Sequence, residues 1–280
     1  MTATPAPSTA SASPAAPART RDVPRGLRWM WNDTWTEAMR HLRAVPRNPD
    51  LLIFATIQPI MFVLLFNYVF GGAIDVPGYD SYTQYLMPGV FAQTVLFGSA
   101  FTGVGVAEDM TKGIIDRLRS LPMYQPSVLV GRTVSDLCRN VFTFAVMFVV
   151  GYLVGFRIGG SVGAAIGATL LLLGFSYAFS WVQALIGLSV KSVEAANSAG
   201  FIWMFPLTFV SSAFVSTESM PQWLQTFADW NPFTKLTNAA RALYSGTDPG
   251  ADLWYAIAWA VGITVVFSFL ASRRYSRASR

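Results

Sequence analysis

The feature that most constrains this chain is a series of six long apolar stretches, five of them without any charged residue. A transmembrane helix needs about 20 predominantly apolar residues, and each stretch can supply them. The chain is 53% hydrophobic and only 12% charged, whereas an average soluble domain is about one quarter charged. We therefore predict an all-α integral membrane protein with six transmembrane helices. The stretches lie within residues 51–71, 81–107, 134–156, 158–190, 195–217 and 253–272.

The distribution of lysine and arginine predicts the orientation. With a cytoplasmic N-terminus, 17 of the 20 basic residues fall on the cytoplasmic side and only Arg157, Lys235 and Arg241 lie outside. Cytoplasmic loops carry such an excess of positive charge. We expect a multi-pass protein of the plasma (inner) membrane with both termini in the cytoplasm. The net charge of +5 follows from this asymmetry and does not indicate nucleic acid.

Two segments precede the first span of the predicted transmembrane domain, 49–280. Residues 1–25 are rich in Ala, Ser, Thr and Pro and are predicted to be disordered. Residues 26–48 are amphipathic and predict a helix lying in the cytoplasmic interface; a helix packed on the protein's own cytoplasmic face is the alternative. Its apolar stripe, spaced by three and four, is Trp31, Trp35, Ala38, Leu42 and Val45.

A densely charged segment, 108–122, separates the second and third stretches. Its charges predict helical pairs, among them Glu108 with Lys112 at i,i+4, and Pro122 ends the pattern. Ile114, Leu118 and Leu121 form a thin apolar edge. Two interpretations stay open: a solvated cytoplasmic loop, or a short helix that docks into a partner protein. The candidate docking residues are Glu108, Asp109, Lys112, Gly113, Asp116, Arg117, Leu118, Leu121 and Pro122.

The long external connection contains two further amphipathic patterns within 218–246. Trp223, Phe227 and Trp230 lie at i, i+4 and i+7, and Asn231 then precedes Pro232 as an N-cap. A second stripe runs from Phe233, and Gly246 closes it. We predict a pair of short helices that lie in or dip into the outer leaflet; an ordinary interfacial hairpin is the alternative.

Two smaller patterns concern helix contacts. Gly155, Gly159, Gly163 and Gly167 recur every four residues, which predicts close helix approach, with the first two in a turn. Asp136 and Arg139, at i,i+3 near the start of the third stretch, are expected to pair, and Arg139 to extend towards the interface.

Several kinds of chemistry are not indicated by the sequence. None of the three lysines lies in a phosphate-binding loop, and the single histidine, His41, and single cysteine, Cys138, exclude a metal cluster and an internal disulfide. Buried titratable residues of the kind found in proton relays are nearly absent. The chain is expected to be a conduit that is passive or energised by a partner, and not itself an enzyme.

The chain resembles the membrane subunits of ABC-2 type exporters, particularly the daunorubicin-resistance permease group. The resemblance rests on Met87-Pro88-Gly89, the 108–122 segment with Val130-Gly131-Arg132, and Asn231-Pro232-Phe233 followed by Ala239-Ala240-Arg241-Ala242-Leu243. It implies a half-transporter: two permease copies or paralogues, with separate ATPase subunits that use ATP and Mg²⁺. Membrane lipids would surround it, and this chain would hold no cofactor or metal.

The resemblance also implies roles for segments. Residues 108–122 would be the coupling helix that docks on the ATPase, 26–48 the connecting helix, and 218–246 an extracellular re-entrant gate between spans five and six. The gate residues would be Trp223, Phe227, Trp230, Asn231, Pro232 and Arg241.

The substrate path would run along spans one, two and five. Aromatic side chains there suit an apolar or amphipathic drug or lipid, although each could instead pack helices or face lipid. The hypothetical lining is Phe62, Phe66, Gln93, Phe97, Phe101, Asn197, Phe201 and Phe205. Export of a polysaccharide or lipid-linked glycan is an alternative with the same topology, and a secondary transporter or channel is a further one.

Overall fold

The structure, a computed structural model, describes residues 34–36, 38–40, 49–71, 79, 81–119 and 126–277. The predicted disordered head and most of 26–48 lie outside the described residues. The two described pieces of that predicted helix are helical, with Trp35 exposed and Ala38 buried.

Nine α-helices make up most of the described chain. They are α1 (Pro49–Leu64), α2 (Tyr82–Thr111), α3 (Ile114–Arg119), α4 (Pro126–Val154), α5 (Val162–Gly187), α6 (Val193–Phe209), α7 (Gln222–Trp230), α8 (Pro232–Ser245) and α9 (Gly250–Arg277). A π-helical turn, Leu65–Phe70, continues α1, and a 3-10 turn, Thr217–Ser219, precedes α7.

Four helices, α2, α4, α5 and α9, are long and apolar enough to cross a membrane. The chain is thus an all-helical, multi-pass membrane protein. The first and fifth predicted stretches also form helices, but α1 has 16 residues and α6 has 17. Two boundaries differ from expectation, because α2 continues to Thr111 and α4 already begins at Pro126.

Helix α2 is the centre of the bundle and packs against α1, α4, α5, α6 and α8. Its two ends are the Tyr82 end and the Thr111 end. Near the Thr111 end, Gly103 and Gly187 let α2 and α5 approach closely, since a Cβ on Gly187 would overlap the Gly103 carbonyl. The predicted glycine stripe is wrong for its helical members, because no described atom of another element lies within 4 Å of a Cβ built on Gly163 or Gly167. Gly159, before the helix, does allow a close approach, since a Cβ there would lie 2.9 Å from the Ser245 carbonyl oxygen.

Two apolar clusters hold the helices together. The larger joins α2 to α5, α6 and α8 through residues such as Phe91, Phe175 and Phe233, all fully buried. The smaller lies at the Thr111 end and joins Val106, Leu129, Trp181 and Tyr275 from four helices. This second cluster positions the charged segment that follows α2.

Candidate functional site: docking segment, phenylalanine row and buried hairpin

The predicted docking segment is two helices and not one. Helix α2 ends at Thr111, and α3 starts at Ile114 after a turn. Gly113 has φ of +67°, in the left-handed region that a residue with a Cβ adopts at a cost of about 1–2 kcal/mol. The prediction of a single helix over 108–122 is therefore wrong, because the left-handed Gly113 interrupts it.

The charged surface of the segment is formed by the end of α2 and the turn. Lys112 donates to Glu108 at 2.5 Å, as predicted, and both side chains are about half exposed (60% and 48%). This hydrogen bond raises the pKa of the Lys112 ammonium, so Lys112 keeps its positive charge at neutral pH. Arg117 is also exposed. The segment thus presents both signs of charge to its surroundings.

An apolar anchor holds α3 to the bundle. Ile115 is 2% exposed and belongs to the smaller cluster, against which Leu118 also packs. The anchor is therefore Ile115 with Leu118, in place of the predicted edge that began at Ile114. Leu121, Pro122 and the side chain of Asp116 lie outside the described residues.

Asp109 was predicted to face outward. Instead, it is the first residue of a chain of ion pairs between α2 and α4. Its carboxylate lies 3.4 Å from Arg132, which lies 3.2 Å from Asp136, which in turn lies 3.1 Å from Arg139. We call these four residues the ion-pair chain. All four side chains are at most 16% exposed. The charge of Arg40 also acts on Asp109.

The ion-pair chain extends deep beside α2. Arg139 donates to the Gly98 carbonyl at 3.3 Å and lies over the Phe101 ring at 4.7 Å. Gly98 is 13 residues before Thr111, or about 20 Å along a helix. The predicted pairing of Asp136 with Arg139 is confirmed. The predicted extension of Arg139 towards the interface is wrong, because a carboxylate, a carbonyl and a ring hold it inside.

The predicted path phenylalanines come together in a continuous row. Phe66 stacks on Phe214 at 4.7 Å, Phe209 lies 5.3 Å from Phe214, and Phe205 lies 6.0 Å from Phe209. We call the row, with its other members Phe62, Phe97 and Phe201, the phenylalanine row. Phe205 and Phe209 are more than 40% exposed, so one edge of the row lies on the surface of the protomer.

The other predicted path residues do not join this row. Gln93 is 2% exposed, and neither of its amide atoms has a hydrogen-bond partner in the described part of the chain. Asn197 is exposed. Phe101 contacts Arg139 instead, one helical turn beyond Phe97. Gln93 and Phe97 are both buried within the protomer, so they do not line an open path in this conformation.

At the opposite end of α2, a non-helical segment lies buried in the protein. Helix α6 ends at Phe209, and residues 211–214 are all buried. Buried backbone groups must be paired, and side chains provide partners here. Tyr85 donates to the Ser212 carbonyl at 2.8 Å and Tyr82 to that of Phe214 at 2.9 Å.

Arg241 completes this arrangement. Its guanidinium donates to the carbonyls of Tyr85 (3.1 Å) and Ser212 (2.9 Å) and to the side chain of Asn238 (3.2 Å). It also lies 3.7 Å from the centre of the Tyr85 ring. Arg241 is 4% exposed, so its charge is surrounded by carbonyl oxygens and aromatic faces.

Asn231 has two functions. As predicted, it caps α8, accepting from the Phe233 N–H at 2.8 Å with Pro232 at the first helical position. Its amide also donates to the Leu207 and Val210 carbonyls at 2.7 and 2.6 Å. Gly246, with φ of +81°, ends α8. Asn231 thus joins the start of α8 to the end of α6.

The six predicted gate residues do not form one cluster. Trp223, Phe227 and Trp230 are 56–76% exposed on α7. Asn231 and Arg241 are buried and donate hydrogen bonds to backbone carbonyls. The prediction grouped them because they are close in sequence. In the structure they lie on two different helices, and α7 exposes its three aromatic residues whereas α8 buries Arg241.

Sequence reasoning missed some members of these sites. Arg132 stands at i−4 from Asp136 and i−7 from Arg139, a helical stripe that could have predicted the ion-pair chain. Phe209 continues the four-residue spacing of Phe201 and Phe205. Phe214 gave no such signal, because it lies beyond the end of α6.

Comparison with known proteins is consistent with this architecture. Residues 32–244 match the family model described as ABC-2 type transporter. The chain is 33% identical to the daunorubicin resistance ABC transporter permease protein DrrB1 of Streptomyces coeruleorubidus, over 86% of this chain and 85% of that protein. It is 25% identical to the probable doxorubicin resistance ABC transporter permease protein DrrC of Mycobacterium tuberculosis, over 94% and 95% respectively. The putative transport permease ycf38 of Cyanophora paradoxa is 25% identical over 71% of this chain and 69% of that protein. The match over most of the chain shows that this protein is a member of the ABC-2 type transporter family.

Proposed function

We propose that this chain is the permease subunit of an ATP-driven exporter that moves a hydrophobic or amphipathic small molecule, a drug or a lipid, out of the cytoplasm or inner leaflet. Two permease copies would pair in the plasma membrane, and separate ATPase subunits would bind ATP and Mg²⁺ on the cytoplasmic side. The names of the relatives, which refer to daunorubicin and doxorubicin resistance, support the choice of a drug or other amphiphile.

One observation carries the proposal: the exposed charged turn after α2 is joined to the interior by the ion-pair chain. Glu108 and Lys112 lie on the surface, and the neighbouring Asp109 is the first member of that chain. The last member, Arg139, contacts Phe101 one turn from the phenylalanine row. A displacement of the turn would therefore be passed to α2 and α4 together.

The mechanism is a shift between two arrangements of the helices. ATP-driven association of the ATPase subunits would move the charged turn and α3. Because Ile115 and Leu118 fix α3 to the smaller cluster, the movement would tilt α2 and change how the phenylalanine row is exposed. In this scheme six segments span the membrane, with α1 and α6 as the shorter spans, and residues 26–48 lie at the cytoplasmic interface.

The test exchanges charges without removing the ion pair. The double variant Glu108→Lys/Lys112→Glu retains an i,i+4 pair, whose reversal changes stability by only about 0.2–0.5 kcal/mol, but inverts the surface charge pattern. We expect it to fold and to lose co-purification with an ATPase subunit, identified by its phosphate-binding loop, from native membranes in mild detergent. The control is Lys191→Glu, at another exposed lysine. Equal co-purification in all variants would refute docking at this turn.

A further inference from the structure

A cavity lies at the Tyr82 end of α2, opposite the charged turn. Its volume is about 380 Å³, within the usual range of small-molecule sites. The side chains that matter below are Tyr79, Gln84, Arg157, Arg241, Tyr244 and Thr247. Of the described residues that line the cavity, two are arginines and none carries a carboxylate.

Neither arginine is neutralised by an acidic residue in the described part of the chain. Arg241 donates to two carbonyls and one amide oxygen. Arg157 is exposed and donates to the Tyr152 and Phe156 carbonyls at 2.6 and 2.8 Å, while lying 4.0 Å from the Tyr152 ring centre. Buried charges in proteins are normally paired. Within the described residues, two arginines without an acidic partner therefore border one cavity.

The remaining lining suits an anion attached to an apolar body. The Thr247 hydroxyl supplies a neutral polar group, and the rings of Tyr79, Phe156 and Tyr244 supply apolar area. The Gln84 amide pairs with the backbone of Arg157 and so helps to position it. Guanidinium groups bind phosphate and carboxylate through short, charge-assisted hydrogen bonds. The cavity combines this chemistry with a volume that exceeds that of a bare phosphate.

We propose that this cavity is a binding site for the anionic group, phosphate or carboxylate, of an amphiphile. Arg157 would bind the anion directly at the mouth, and Arg241 would attract it from the buried side. The position at the end of α2 away from the docking turn makes it a release-side site, a placement that rests on the proposed function. The anion could belong to a soluble molecule or to the headgroup of an anionic lipid.

The test uses the purified full chain in nanodiscs of phosphatidylcholine. One arm titrates inorganic phosphate against sodium chloride at equal ionic strength and follows the thermal midpoint by tryptophan fluorescence. The other arm adds phosphatidylglycerol to the phosphatidylcholine nanodiscs and counts the phosphatidylglycerol molecules that the protein retains in native mass spectrometry. Arg157→Gln is the main variant, because its side chain is exposed and its described partners, Tyr152 and Phe156, lie at or just beyond the end of α4. Lys191→Gln removes one positive charge elsewhere and is the matched control.

We expect Arg157→Gln to weaken binding about tenfold, the loss typical of one charge-assisted hydrogen bond. Arg157→Lys should retain part of the binding, and Thr247→Glu, which adds a carboxylate to the lining, should also weaken it. A phosphate-dependent shift that needs Arg157 assigns the site to soluble anions; Arg157-dependent retention of phosphatidylglycerol alone assigns it to lipid.

Binding that is absent in both arms, or reduced equally by Arg157→Gln and Lys191→Gln, would overturn the proposal. Failure here with intact co-purification of an ATPase removes the anion site and leaves the exporter. Anion binding by a protein that co-purifies with no ATPase would keep the anion site and refute the exporter.

Discussion

The two ends of α2 are both organised by buried arginines, but with different partners. At the Thr111 end, Arg132 and Arg139 are paired with carboxylates of Asp109 and Asp136. At the Tyr82 end, Arg241 is held by backbone carbonyls and tyrosine rings. Coulomb attraction depends weakly on direction, whereas hydrogen bonds to carbonyls require a fixed geometry. Arg139 also donates to one carbonyl, that of Gly98, whereas Arg241 donates to two. We therefore expect the first end to tolerate small displacements better than the second.

The difference fits the proposed function. In that mechanism, the end that passes movement from the charged turn to α2 must tolerate small displacements between α2 and α4. A part that holds residues 211–214 in a non-helical form must keep each carbonyl paired, because an unpaired buried carbonyl costs about 1–3 kcal/mol. The following predictions test this contrast.

The largest effect is expected where a carboxylate of the ion-pair chain is removed. Asp136→Leu leaves Arg139 without its acidic partner, and breaking a buried pair typically costs about 3–5 kcal/mol. SDS-induced unfolding in mixed micelles would measure the loss. Cys138→Ala, at an exposed position on the same helix, is the control and should be neutral. An unfolding midpoint for Asp136→Leu equal to that of the control would contradict the role of the chain.

Replacing arginine by lysine compares the two ends directly. Arg139→Lys keeps the charge opposite Asp136 and should retain more than half of the stability lost in Arg139→Met. Arg241→Lys has no planar fork to reach the Tyr85 and Ser212 carbonyls at once, so it should be nearly as unstable as Arg241→Met, by about 1–3 kcal/mol for each carbonyl left unpaired. The same unfolding assay applies to all four variants. Equal rescue by lysine at both positions would remove the contrast.

A smaller loss is expected at Asn231. Aspartate is as good an N-cap as asparagine, so Asn231→Asp would be neutral if the cap to Phe233 were its only function. The amide, however, also donates to Leu207 and Val210, and a carboxylate cannot. We expect Asn231→Asp to lower the free energy of unfolding by about 1–3 kcal/mol. A stability equal to wild type would show that the link to α6 contributes nothing.

The smallest effect on stability is expected at Gly113. A Cβ there meets no atom within 4 Å, so Gly113→Ala suffers only the backbone penalty of about 1–2 kcal/mol. Gly113→Asn should be milder, because asparagine enters the left-handed region more readily. Both would be measured by thermal unfolding of the purified chain. Alanine and asparagine variants of equal stability would argue against the left-handed turn.

The helices and the charged turn could be predicted because local patterns specify them. The i,i+4 pair of Glu108 and Lys112, the Asn231 cap and the Gly246 termination each depend on residues a few positions apart. The centre of the bundle could not be predicted in this way. In the most apolar stretch of α2, 83% of the residues are buried, against 11% in that of α9. In the sequence both stretches are long, apolar and uncharged, because lipid and the protein interior favour the same residue types.

The sites show the same limit. The phenylalanine row was partly predicted, since Phe201 and Phe205 share a helical face, but Phe214 joins it only through the fold. Arg132 and Asp109 are 23 residues apart, and Arg241 and Tyr85 are 156 apart. Such partners depend on how helices meet, and a single sequence carries no direct signal of it. The predicted coupling helix is interrupted at Gly113. The charge pairs at helical spacing stabilise a helix only weakly and do not prevent the left-handed turn at this glycine.

The proposed exporter requires that the charged turn after α2 contact an ATPase subunit. A photo-cross-linking amino acid placed at Lys112 tests it directly, with the same residue at Lys191 as the control; both lysines are exposed. After irradiation of native membranes, adducts would be identified by mass spectrometry. We expect a subunit with a phosphate-binding loop to be linked to position 112 and not to position 191. No such adduct at 112, or equal adducts at both positions, would contradict the account.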